Sequence, residues 1–133
     1  MKILIVDSYW QTPTTTEQHA FEKVKVFHDP TFEDVVYLAF PWATLFDLYD
    51  SNQDSVYKEL KDLLNRVTSQ IPPSSRVVTV CQHISLERHK YFLINLKSHS
   101  CKRFAVIIDL ALVFSIKSTG FIIDDAYQLA VKI

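Results

Sequence analysis

Three short segments carry the side chains best suited to chemistry: "DSYW" at 7–10, "FPWAT" at 40–44 and "CQHIS" at 81–85. Each follows a run of apolar or β-branched residues, so each reads as the end of a buried strand. His83 is the candidate general base, because an unperturbed imidazole titrates near neutral pH. Asp7, Ser8, Thr44 and Gln82 offer hydrogen bonds, while Tyr9, Trp10, Phe40 and Trp42 offer flat apolar surface. An aromatic platform with a few convergent polar groups suits sugars and other small polar ligands. The same residues admit a plainer reading, in which Phe40 and Trp42 close the core, Asp7 caps a loop and His83 bonds a neighbouring backbone group.

Other chemistries find less support. Cys81 ends an apolar run and reads as an inert buried thiol, since a reactive cysteine needs a lowered pKa. His19, His28, His89 and His99 are scattered and read as surface residues, and no metal-ligand or triad spacing is defensible. Asp124 and Asp125 read as a helix start with favourable dipole placement. Gly120 is the only glycine, which removes glycine-rich phosphate loops and the kinase, GTPase and nicotinamide-dehydrogenase classes that need them. No cofactor is expected.

The elements that would position these segments follow from periodicity. Ile3–Val6, Val35–Leu38, Val77–Val80 and Ala105–Ile108 are short continuous apolar or β-branched runs, the pattern of neighbouring parallel strands covered on both faces. Thr14 and Glu17 have capping-box spacing ahead of a helix, and "VKVFHD" reads as a further strand ending at Asp29-Pro30. Val56, Leu60, Leu63, Leu64 and Val67 form one helical stripe between Asn52 and Thr68. Ser85 starts another helix, through about Leu96. Alternation of strands and helices predicts a three-layer α/β domain with a mostly parallel, Rossmann-like sheet. A single domain over 1–133 is expected. Parallel strands end on one side, so the three segments should meet at the carboxyl edge, where such sheets bind ligands.

Fourteen Lys+Arg against fifteen Asp+Glu leave a net charge of −1, with no basic excess to neutralise nucleic acid. The longest apolar stretch, "AVIIDLALVFSI", is too short to span a bilayer. Two cysteines and no secretory leader make a reduced cytoplasmic setting the expectation.

From "VDSYW…PTTT" through "DVVYLAFPWATLFD" to "RVVTVCQHIS", the chain resembles the amino-terminal half-domain of bacterial GT-B-type glycosyltransferases, the exostosin-like ones of O-antigen and capsule synthesis. The resemblance covers residues 1–97, and 98–133 would be a divergent completion or the sequel to a truncation. It implies an acceptor-side half of a nucleotide-sugar-dependent enzyme, with a saccharide acceptor, a nucleotide sugar and a second domain or protein partner supplying the donor half. It would place 7–10, 40–44 and 81–83 along the interdomain cleft. "MKILIVDSYW" also resembles the first strand of a response-regulator receiver. That family's phosphoacceptor Asp is replaced by Phe40-Pro41, which implies a non-enzymatic binding or regulatory module of receiver- or flavodoxin-like shape. Sugar transfer and protein binding are thus the two expectations.

Overall fold

Val35–Ala39 and Arg76–Val80 run apolar without alternation, and in the computed structural model they pair in parallel at the centre of the sheet. The structure describes residues 1–11, 16–27, 32–81, 83, 88–89 and 103–107, with the backbone only of Phe27 and 103–107. The elements are β1 (Lys2–Ile5), α1 (Thr16–Phe27), β2 (Val35–Ala39), α2 (Trp42–Asp50), α3 (Asp54–Thr68), β3 (Arg76–Val80) and β4 (Arg103–Ile107). All four strands are parallel, in the order β1-β2-β3-β4. This is the expected α/β, Rossmann-like arrangement.

Register sorts the side chains onto two faces. Leu4 pairs with Leu38 and Leu38 with Thr79. On that face Val36, Leu38, Phe40 and Val77 pack against Trp42, Leu45 and Phe46 of α2 and Leu60 and Leu64 of α3. On the other, Val35, Tyr37, Ala39, Val78 and Val80 pack against Ala20 and Phe21 of α1. A sequential strand order with connecting helices on opposite faces makes the β1–β2 and β2–β3 crossovers of opposite hand, so one of them departs from the usual right-handed rule.

Two expectations need correction. Residues 24–27 are the last turn of α1 and not a strand. Ala20, Phe21 and Val24 form one helical stripe against the sheet, whereas Val26, which a strand would present on the same side as Val24, is 70% exposed. Equal cover on both faces also fails at β1, the outer described strand, where Lys2 is exposed and Ile3 and Ile5 are only half-buried. The expected capping residue Thr14, the Ser85 helix start, His28, His99 and Asp124-Asp125 lie outside the described residues. Among the described residues no helix is long and apolar enough to cross a membrane.

Helix α2 was hidden behind Pro41. Pro41 stops β2 and, having no N–H to leave unsatisfied, opens the helix instead of a loop. Trp42, Leu45 and Phe46, at i, i+3 and i+4, give it a buried stripe. Its far end closes with a Schellman pattern: the Asn52 N–H donates to the Tyr49 carbonyl (3.3 Å) and the Gln53 N–H to that of Leu48 (3.1 Å). Asn52 takes the left-handed conformation (φ 55°) that glycine usually supplies at this position.

Candidate functional site at the carboxyl edge

The three sequence segments do converge, though with different partners from those expected. Val6 N–H donates to the Ala39 carbonyl (3.0 Å), extending β1 alongside β2 to the point where both strands end. Beyond it, Thr44 Oγ1 donates to the Tyr9 carbonyl (2.6 Å), and Gln11 Nε2 donates to Asp47 Oδ2. The segment after β1 is thus laid along α2. From the segment after β3, His83 Nε2 lies 3.0 Å from Asp47 Oδ1. One α2 carboxylate therefore holds both the β1 and the β3 segments. Gln82 lies outside the described residues.

Tyr9 is the strained member of this site. Its φ of 62° is unusual for a bulky residue, and such conformations persist only where the surroundings enforce them. One contact does so here: the Thr44 hydroxyl holds the Tyr9 carbonyl. Glu59 of α3 acts on the phenol, and hydrogen bonding to it, then burial and its charge, raise the phenol's pKa, since each disfavours the phenolate. Next to it, Trp10 Nε1 donates to Asp7 Oδ1 (2.9 Å), so Asp7 braces its own loop. Ser8 lies half-buried between them.

Phe40 and Trp42 are not an open platform. They are 1% and 0% exposed and pack on one another with ring centroids 4.6 Å apart. The Trp42 indole donates to Thr79 Oγ1 (2.7 Å), which donates to the Leu38 carbonyl (2.6 Å). Both residues occupy the core role that was the plainer reading of the sequence. The satisfied indole explains how Trp42 and Thr79 are buried together without an orphaned polar group.

His83 sits at the rim, its side chain 9% exposed, edge-on to the Phe46 ring at 5.5 Å. His89, expected at the surface, is buried: it stacks on Phe46 at 4.7 Å and reaches Asp50 Oδ2 at 3.2 Å. The reason is α2, whose aromatic face attracts a flat ring and whose Asp50 supplies a charged partner. Arg88 also pairs with Asp50. Burial works to raise the Asp50 pKa, but the His89 and Arg88 contacts prevail and lower it.

Two further residues were missed by sequence reasoning. Glu17 of α1 is 6% exposed, and its carboxylate accepts from the Ala43 N–H at 3.2 and 3.4 Å. Pro41 supplies no side-chain cap to α2, so Glu17 does so from another helix, placing negative charge at the positive end of the dipole. Burial first, then the nearby Glu17 charge, push the Cys81 thiol and the Tyr37 phenol well above their usual ranges. Cys81 is thereby an inert thiol. The second residue is Asp47, whose partners Gln11 and His83 are each 36 positions away; no local spacing signals them. Among the described residues, no group of three or more His, Cys, Asp or Glu side chains is placed to hold a metal ion.

Neither protein-family models, nor curated proteins, nor solved structures provide a match to this chain.

Proposed function

We propose that the chain is the acceptor-side domain of a nucleotide-sugar-dependent glycosyltransferase of polysaccharide synthesis. The observation that carries this reading is the His83–Asp47 pair at the carboxyl edge of a parallel sheet. With Nε2–H donated to the Asp47 carboxylate, Nδ1 is the ring nitrogen that can accept, and Asp47 fixes the ring's orientation. In the reaction, an acceptor hydroxyl attacks the anomeric carbon of the donor and the nucleotide leaves with the bonding electrons. His83 takes the hydroxyl proton. Asp47, itself oriented by Gln11, positions the ring, while Tyr9, Trp10 and Thr44 border the acceptor. The nucleotide sugar is held by a further domain or a protein partner.

The test is sugar transfer by the full chain with candidate nucleotide sugars, together with Trp10 fluorescence as a binding signal. His83→Ala should lower turnover about a hundredfold or more while leaving the thermal midpoint near that of the parent. Asp47→Asn should lower turnover less, because the carboxamide can still orient the ring. Transfer unaffected by His83→Ala would remove the residue from the mechanism.

A second reading has its own support. Phe40 and Trp42 are used up in the core, so two of the aromatics expected to face a ligand are withdrawn from the edge. That favours a non-enzymatic binding module of receiver- or flavodoxin-like shape. Absence of any Trp10 fluorescence response to saccharide acceptors would favour it over the enzyme.

A further inference from the structure

A hollow of about 350 Å³ opens where the end of α2 meets the start of α3, walled by Leu48, Tyr49, Tyr57, Asp50, Asn52 and Asp54. That volume falls in the range of sites for small organic ligands. Its walls are held in place. The Tyr49 ring lies 5.6 Å from Tyr57 and 5.7 Å, edge-on, from His89. Asp50 is fixed by Arg88 and His89, and the Schellman closure fixes the Asn52 backbone.

Tyrosines beside carboxylates suit either an organic cation or a neutral polyol, and the charges decide between them. Two of the chain's own cations already stand at these groups: Arg88 pairs with Asp50, and Lys61 Nζ lies 5.8 Å from the Tyr57 ring centre. An incoming cation would meet these positive neighbours. A neutral ring bearing hydroxyls would not, and it could stack an apolar face on tyrosine while its hydroxyls bond carboxylate and carboxamide oxygens.

We propose that this hollow is a saccharide subsite, with a sugar ring stacked on Tyr49 and its hydroxyls held by Asp54 and Asn52. Its placement as an acceptor subsite rests on the proposed function. Asp50 follows Asp47 by three residues, about 4.5 Å along the α2 axis. A glycan lying along α2 would thus set one ring in the hollow and bring another towards His83.

The test is saturation-transfer NMR on the full chain with lactose, maltose and methyl hexosides, and with arginine methyl ester as the cation probe. The expected result is saccharide binding that weakens about tenfold or more in Tyr49→Ala and in Asp54→Ala. Tyr49→Phe, which keeps the ring, should retain it. Thermal melts confirm that each variant is folded; Tyr49 is 44% exposed and lies outside the two core clusters, so its truncation spares the core. No saccharide binding, binding indifferent to Tyr49→Ala, or displacement by arginine methyl ester would overturn the subsite. The proposed function is judged separately by transfer activity. Transfer lost in His83→Ala beside binding that ignores Tyr49 would keep the enzyme and discard the subsite; Tyr49-dependent binding without transfer would do the reverse.

Discussion

Glu17 shows how much a single side chain can do at the carboxyl edge. Its carboxylate caps α2, neutralises the exposed end of that helix dipole and ties the layer on one face of the sheet to the layer on the other. Glu17→Ala leaves the buried Ala43 N–H without this acceptor, so it should destabilise the fold by about 1–3 kcal/mol, measured by urea denaturation. A loss near zero would mean that the cap is replaced at no cost. Cys81 should resist alkylation in the native state and react only on unfolding, because burial and the Glu17 charge both disfavour its thiolate. The Cys81 reading was available from the apolar run before it. Spacing marks Glu17 as a capping-box partner of Thr14, which lies outside the described residues; nothing in the sequence marks its bond to Ala43, 26 residues on.

At the scale of elements, α3 was legible and α2 was not, for one physical reason. The stripe Leu60, Leu63, Leu64, Val67 repeats over several turns of a helix flanked by polar residues, so its period stands out. In α2 the stripe Trp42, Leu45, Phe46 covers barely two turns and follows a proline that reads as a stop. The aromatics in it were accordingly assigned to a ligand cleft when they belonged to a helix face. Similarly, the end of α1 looked like a strand because Val24 and Val26 alternate with lysines, a pattern too short to distinguish the two periods. The α3 assignment carries a direct test. Leu60 and Leu64 are 0% and 4% exposed in the core between α2, α3 and the sheet, so truncating either to Ala should cost about 2–5 kcal/mol. Val56→Ala, nearer the start of α3 and only half-buried, should cost less.

For the whole molecule, the sheet is pinned near both its edges by carboxylates whose charged forms the fold favours. At the amino edge, Arg76 Nε and Nη2 reach Asp34 Oδ2 and Oδ1 at 2.9 and 3.0 Å, and the Arg76 N–H donates to the Asp34 carbonyl (2.8 Å). This two-point contact sets the start of β3 against that of β2, and chiefly through the hydrogen bonds from Arg76 it lowers the Asp34 pKa. Towards the carboxyl side, Arg88 and His89 lower that of Asp50, against the opposing effect of burial. For both groups the folded pKa lies below the ordinary 3.8, so their stabilisation is complete above that value. It drains away as pH falls through the lower folded values and the carboxyls take up protons. Urea midpoints measured from neutral pH down through the carboxylate range should therefore fall on the acid side, and more gently in Asp34→Asn with Asp50→Asn than in the parent. Asp34 is largely exposed and screened by solvent, so Asp50→Asn should account for most of the difference. Its effect should also be felt at the candidate site, where loss of the Asp50 charge releases His89 from the face it shares with His83 on Phe46. An acid limb that is unchanged in the double variant would show that neither carboxylate contributes to the acid sensitivity of the fold.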